Sequence, residues 1–496
     1  MILDFEVREG KLVLSEIDER GSIKLNHYDW ANPKQYVKCS ENDPHRNKTY
    51  TTWDGSAVKL EYTKRPNRFA VYEFIDRLPV AEKERLFALH IPKTFFMDIE
   101  TEILPEGFVE PLNANSRVLT VAIVHKQKVL VLGIKDLPME EQVKIKQKIE
   151  KHFTKYNLTI DFKYKSFHEE EEPERAMLSH LFYDLIPKMP VITGWNFLDY
   201  DWTFLVNRCR LVGVNPNASS FTNKLEKVFN MDYELPTHRL IVDYMQIYKK
   251  WDTSVKVKET NSLDWVGEKI TGCRKVPHEL GLQEMYEQDF TEYVFYNAVD
   301  TVLVQLIHEK TRLMDIMFAI SSAAKIRLCD FGYKSLQTTL VQSEGFLREE
   351  FRNNRKIVFV KDAEQAAVEG TIEGGHVRTP NRGMNEWVVT YDFSSLYPMI
   401  MRQFKIAPEN FKGVLMPGND GLAVFNGKVK KVEPTDVVCT TGSVFANGQS
   451  VTVDFLTNVF NERKRYKNLM NVNIKDIKVT EDHLADLMKR REALEA

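Results

Sequence analysis

Asp98 and Glu100 stand two residues apart at the end of the apolar run Thr94-Phe95-Phe96-Met97. In an extended strand, residues i and i+2 face the same side, so both carboxylates project together. That constrains the fold, because the strand must end where other ligands can be brought to the pair. Two later motifs offer more acids: Asp201 in Gly-Trp-Asn-Phe-Leu-Asp-Tyr-Asp (194–201) and Asp300 in Tyr-Asn-Ala-Val-Asp (296–300). Mg²⁺ prefers carboxylate and water oxygens, and two such ions about 4 Å apart can hold the attacking and leaving oxygens of a phosphodiester. Four acids in three separated motifs have that layout.

The contexts suit the task. Pro190 to Asn196 reads as a short buried strand ending in a loop that delivers Asp201 at its carboxyl end. Glu292 to Val304 has helix length, and Tyr296 and Asp300 lie four apart on one helical face, where a phenol beside a metal-binding carboxylate can orient the attacking water. With 71 acids in 496 residues, an acid-x-acid pair arises about ten times by chance, so no motif counts alone. Their order does. Asp199 and Asp243 compete with Asp201: the first is two residues away, the second follows the apolar run Leu240-Ile241-Val242.

Read in order, D-I-E, N-x-x-x-Y-D (Asn196 to Asp201) and Y-x-x-x-D resemble the three exonuclease motifs of family B DNA polymerases. Tyr391-Asp392-Phe393-Ser394-Ser395-Leu396-Tyr397-Pro398 resembles the D-x-x-S-L-Y-P motif of the polymerase palm, led by an apolar strand Trp387 to Thr390. The wording around these motifs, including Asp-Tyr-Met-Gln-Ile-Tyr-Lys-Lys at 243–250, is most similar to replicative polymerases of T-even-like bacteriophages.

The resemblance implies a multidomain α/β (α+β) protein. It has a β-rich amino-terminal domain over 1–93, completed by 311–368, and a ribonuclease-H-like 3′→5′ exonuclease domain over 94–310. A partial palm follows over 369–454, then partial fingers helices over 455–496. By the same resemblance Asp98, Glu100, Asp201 and Asp300 bind Mg²⁺ (or Mn²⁺) and Tyr296 positions water, leaving Asp199 and Asp243 outside the ligand set. Asp392 is the palm metal ligand. Phe393, Ser394, Ser395, Leu396 and Tyr397 contact the incoming dNTP, with Tyr397 under the deoxyribose as a steric bar to a ribose 2′-OH. Leu225 to Leu240 forms a hairpin. Ile372-Glu373-Gly374-Gly375 resembles the Y-x-G-G segment between the two activities, with Ile372 in the tyrosine's place.

Neither K-x-x-x-N-S-x-Y-G nor Y-x-D-T-D-S, the fingers and second palm motifs, occurs, so Asp392 lacks its carboxylate partner. One carboxylate cannot organise two cations. The expectation is therefore one half of a split polymerase, needing a second chain to synthesise DNA. Expected partners are primer-template DNA, a single-stranded 3′ end, dNTPs and a sliding clamp. A stand-alone exonuclease and a nucleic-acid-binding scaffold or translational regulator stand as alternatives.

At the carboxyl end, Leu456 to Met470 reads as one helix, broken at Asn471-Val472-Asn473, with a second starting at Thr480 as N-cap. Composition excludes some classes. Five scattered cysteines without a C-x-x-C pair argue against zinc and a disulfide framework. Met1-Ile2-Leu3-Asp4 meets charge too early for a signal peptide, and no apolar run spans a bilayer, which predicts a cytoplasmic protein with no membrane partner. The net charge of −3 leaves DNA contact to basic patches, with Lys64 to Arg68, Arg352 to Lys356 and Arg463 to Lys467 as candidates.

Overall fold

Side-chain alternation along the strand Thr94–Thr101 organises the larger part of the chain. Phe96 enters one apolar cluster with Val124, Val191 and Val299, whereas Met97 and Ile99 enter another with Phe182, Phe197 and Trp202. The strand therefore separates two cores, and Asp98 and Glu100 share the side of Phe96. The structure, a computed structural model, describes residues 1–336 and 378–495 except 31–33, 40–41, 45–49, 52–56, 63–67, 106, 108, 229, 256–257, 278–279, 335, 380–381, 385, 394, 417, 419 and 426–427. They divide into two units, residues 1–35 with 62–345 and residues 36–61 with 346–496.

In the first unit a six-stranded sheet runs in the order Asp161–Ser166, Lys128–Gly133, Val118–His125, Thr94–Thr101, Val191–Gly194, Leu240–Asp243. Strands 94–101, 118–125 and 128–133 are successive antiparallel neighbours. Strand 191–194 then lies parallel to both 94–101 and 240–243 on the far side. Three meandering strands followed by crossover strands are the ribonuclease-H-like arrangement. Val118–His125 is buried at all but its last residue, as expected for a strand covered on both faces. Gly194 is required where strands approach: a Cβ there would sit 2.3 Å from the Met97 carbonyl oxygen.

The helix Phe290–Thr311 crosses strands 94–101 and 118–125, while helices Met139–His152, Leu263–Thr271 and Leu282–Gln288 pack against it. It is buried without interruption from Tyr293 to His308, so its sequence is apolar on every side rather than striped. Asp289 sets its start by accepting the Glu292 N–H at 3.0 Å.

An antiparallel meander, Ile2–Arg8, Lys11–Ile17 and Ile23–Asp29, opens the unit. Two helices, Arg68–Asp76 and Val80–Phe87, add to a region whose sequence reads as β-rich. Its anchor is Asp4, whose buried carboxylate accepts from the N–H of Phe5 (2.8 Å) and of His238 (2.9 Å), from Arg327 (3.0 Å) and from the Tyr333 hydroxyl (2.8 Å). Burial works to raise its pKa, but Arg327, His238 and the surrounding donors outweigh it and hold the group below its ordinary value.

The second unit contains a five-stranded antiparallel sheet built from residues 411–445, the helix Leu396–Phe404 and the helix Val451–Glu495. Two expectations are corrected here. The carboxyl-terminal helix is continuous: Asn471 to Asn473 lie inside it, and Thr480 is no cap, its hydroxyl donating to the Asp476 carbonyl at 2.8 Å. A hydroxyl can satisfy itself on the preceding turn without ending a helix. Residues 387–393 form no strand; Trp387 is 96% exposed and Tyr391 92%. Among the described residues no strand pairs with them, and an unpaired apolar strand leaves its backbone groups without ladder partners.

Replacing Asp4 with Ala should cost about 3 kcal/mol at pH 7, read from urea unfolding, because it takes the shared acceptor from the half-buried Arg327, the Tyr333 hydroxyl and two backbone amides. The depressed carboxylate contributes stability above its unfolded pKa, near 3.8, and loses it as the pH falls through the lower folded value. The gap between parent and variant should therefore close in acid. Equal stability at pH 7 would deny Asp4 its anchoring role.

Candidate active site

The sheet and its covering helix bring the three acidic motifs together. Asp98 and Glu100 leave the end of strand 94–101 toward the helix 290–311, which presents Tyr296, Asn297 and Asp300. Asp201 does not sit in a loop, as its sequence suggests, but in a wide helical turn, Leu198–Trp202, entered through Asn196 at a positive φ of 60°. That turn carries it back to the strand, where its Oδ1 accepts the Ile99 N–H at 3.0 Å. Asp201 and Asp300 are each 4% exposed, and Asp98 and Glu100 are half-buried.

The electrostatics show how closely these groups sense one another. Burial, then the charge of Asp300, raises Asp98 to about 7. Glu100 is pushed well above its ordinary value by burial and then by Asp98 and Asp300, and Asp201 likewise by burial and then Asp98. Enclosed like charges disfavour the ionised form of each. Among the described residues the cation acting on the cluster is Lys275, whose Nζ lies 2.6 Å from Asp300 Oδ2 and 4.8 Å from the centre of the Tyr296 ring. Burial opposes the lysine's charge, but Asp300 and then Tyr296 hold its pKa above the ordinary value. Tyr296 in turn is raised, by burial first and Asp300 second.

Two residues here escaped the motif reading. Asn297 is fully buried and joins Asp98 to the sheet, donating from Nδ2 to Asp98 Oδ2 at 2.7 Å and accepting the Thr120 hydroxyl at 3.1 Å. Its signal was its place three residues before Asp300. Lys275 lies in an irregular segment after the helix 263–271 and carries no periodicity that could have pointed to it.

The rival acids fall elsewhere. Asp199 is exposed, with Gln246 as a distant partner at 3.5 Å. Asp243 caps the helix Tyr244–Trp251, accepting the Gln246 N–H at 3.3 Å and the Leu198 N–H at 3.3 Å. Burial sets it at about 6. Glu174, from the acidic run at 169–174, holds Arg208 through two bonds of 2.7 Å and accepts the Val118 N–H at 2.7 Å.

As the side chains are posed, no three carboxylate, imidazole or thiolate groups among the described residues close around one point at ligating distance. Asn297 engages Asp98, and Lys275 engages Asp300. The chemistry of the donor set nevertheless fits a hard divalent cation: all four groups are carboxylates, and a single ammonium cannot balance them.

In the second unit Asp392 and Phe393 lie in the irregular segment before the helix 396–404, whose first residues are Leu396 and Tyr397. Tyr397 is 79% exposed, and Ser395 has a positive φ of 55°. Ser394, Ile372 to Gly375, Lys64 to Asn67 and Arg352 to Lys356 lie outside the described residues. Arg463 to Lys467 are exposed along the long helix, and Leu225–Lys227 pairs with Glu234–Pro236 as a hairpin. No helix among the described residues is long and apolar enough to cross a membrane.

A carboxyl whose folded pKa is raised subtracts stability once the pH passes its unfolded value, and the loss is complete above the folded value. For Asp98 that window runs from about 4 to about 7. Asp98→Asn should therefore gain stability relative to the parent across this range when both are unfolded thermally in EDTA. A parent-to-variant difference that stays flat with pH would contradict the enclosed cluster.

Comparison with known proteins agrees with this geometry. A family model for DNA polymerase family B matches residues 334–488, and one for the exonuclease domain of that family matches residues 73–258. The DNA-directed DNA polymerase of Escherichia phage RB69 is 23% identical over 297 residues, 57% of this chain and 31% of that protein. The DNA-directed DNA polymerase of Enterobacteria phage T4 is 24% identical over 249 residues, 48% of this chain and 27% of that protein. The chain thus spans under a third of the length of these relatives. Two family models in the family's order, on a ribonuclease-H-like sheet that gathers the acids of three motifs, establish that the chain belongs to family B of the DNA polymerases.

Proposed function

We propose that this chain is the 3′→5′ proofreading exonuclease portion of a phage-type family B DNA polymerase, dependent on Mg²⁺ and joined to the first part of the polymerase site. The observation that carries the reading is the meeting of Asp98, Glu100, Asp201 and Asp300 from three sequence-distant elements, with Tyr296 and Lys275 beside them. These four carboxylates would hold the cations, which when bound supply Lewis-acid polarisation of the terminal phosphodiester and acidify water. The other residues prepare that site. Asn297 orients Asp98, the Ile99 amide orients Asp201, and Tyr296, steadied by Lys275, holds the attacking water through its hydroxyl. Residues 1–93 with 311–368 would frame this domain, 94–310.

Asp392 would serve the palm (369–454), with Phe393 to Tyr397 meeting the dNTP and Tyr397 excluding ribose. The helix over 455–496 would begin the fingers. A second metal-binding carboxylate for Asp392 would come from polypeptide outside these 496 residues, and the exposed segment 387–393 suits a strand that pairs there. DNA, dNTPs and a sliding clamp complete the assembly.

A labelled primer-template incubated with the chain and Mg²⁺ should shorten one nucleotide at a time from its 3′ end, with or without dNTPs. Asp201→Ala and Asp300→Ala should each reduce that shortening at least about 100-fold while the chain still unfolds in a cooperative thermal transition. Full activity in either variant removes the ligand assignment. Extension of the primer by the chain alone would show that the palm needs no carboxylate from elsewhere.

A further inference from the structure

Tyr293 is buried at 1% exposure, and its hydroxyl makes no hydrogen bond among the described residues. Such a group is uncommon, because enclosing a hydroxyl without a partner disfavours the fold. Its position is not incidental. It lies three residues before Tyr296 and seven before Asp300 on the helix 290–311, hence on the face that carries the site. Its ring is fixed between Tyr286, edge-on at 5.2 Å, and Phe290, stacked at 6.1 Å. Glu100 pairs across the sheet with Thr120, whose hydroxyl bonds Asn297, one helical turn from Tyr293, and among the carboxylates Glu100 and then Asp98 act on the Tyr293 hydroxyl.

Each of the other acids already has an orienting partner: Asn297 for Asp98, the Ile99 amide for Asp201, Lys275 for Asp300. Among the described residues no hydrogen bond or ion pair orients the Glu100 carboxylate. We propose that Tyr293 is a positioning residue for Glu100, its phenol donating to the Glu100 carboxylate when a divalent cation holds that carboxylate ionised. An ionised acceptor strengthens such a bond, and ligands of a metal ion are commonly oriented by an outer partner of this kind. The hydroxyl is thus kept in the core for the loaded site, at a cost to the fold without metal. Tyr296 would remain the phenol that holds the attacking water, so the helix would present two phenols with different tasks.

The inference rests on the metal-site reading above, and the test separates the two. The full chain, Tyr293→Phe, Glu100→Gln and the double variant are compared by calorimetric titration with Mn²⁺ and by thermal unfolding in EDTA. The parent should bind Mn²⁺, and Tyr293→Phe should bind it about 10–100-fold more weakly. Its midpoint in EDTA should be unchanged or raised, since only an unpartnered hydroxyl is lost. In the Glu100→Gln background the same change should weaken binding no further. Parent-like Mn²⁺ binding by Tyr293→Phe overturns this inference alone, as does an equal loss in both backgrounds. A lower midpoint or failure to fold makes the hydroxyl structural and also overturns it. No Mn²⁺ binding by the parent overturns the metal site and this inference together.

Discussion

The contact between the strand 94–101 and the buried helix 290–311 governs the rest of the structure. The strand's pleat puts Phe96, Asp98 and Glu100 on one side, so the apolar residue that docks the helix and the acids that meet it are set by the same alternation. The helix answers with a continuous buried surface, into which it admits Asn297 and Asp300. Packing brings the charges together, and the charges oppose the packing. Raised pKa values at Asp98, Glu100 and Asp201 measure that opposition, with Lys275 as partial relief. A site that weakens the fold in this way persists where the rest of the domain can support it.

Acids elsewhere in the same unit show what an untroubled buried carboxylate looks like. Asp4 is surrounded by two backbone amides, an arginine and a phenol, and its pKa falls. Glu174 pairs with Arg208 through two bonds. Asp243 lies between: burial raises it, yet its oxygens are spent on the amides of Leu198 and Gln246, so it holds a helix start in place. Donors around a carboxylate mark a structural role, and a surplus of other carboxylates marks a chemical one.

Much of the sheet was legible because a period of two is a local property. The strands at 94–101 and 191–194 follow from short apolar runs, and the helix at 290–311 from a long segment without breakers. What was not legible depends on neighbours distant in sequence. Trp387 to Thr390 has strand composition but no strand beside it among the described residues. Asn471 to Asn473 looks like a break, yet two asparagines around Val472, without Gly or Pro, do not end a helix that its backbone bonds can carry through. Asp201 was expected in a loop, and the turn that holds it is helical because Asn196 reverses the backbone just after Gly194.

The sequence by itself determined which residues could act: acid pairs on a strand, a phenol one helical turn before an aspartate, and the order of motifs that marks the family. It could not show that Lys275 reaches Asp300 or that Asn297 bridges Asp98 to Thr120, because those contacts join elements far apart in the chain. Nor could it separate Asp201 from Asp199 by chemistry alone; the fold buries one against the Ile99 amide and leaves the other in water. The division has one physical reason. Periodicity and composition are properties of neighbours along the chain, whereas burial, and with it the strength of every charge interaction in this site, is created only when distant segments exclude solvent together.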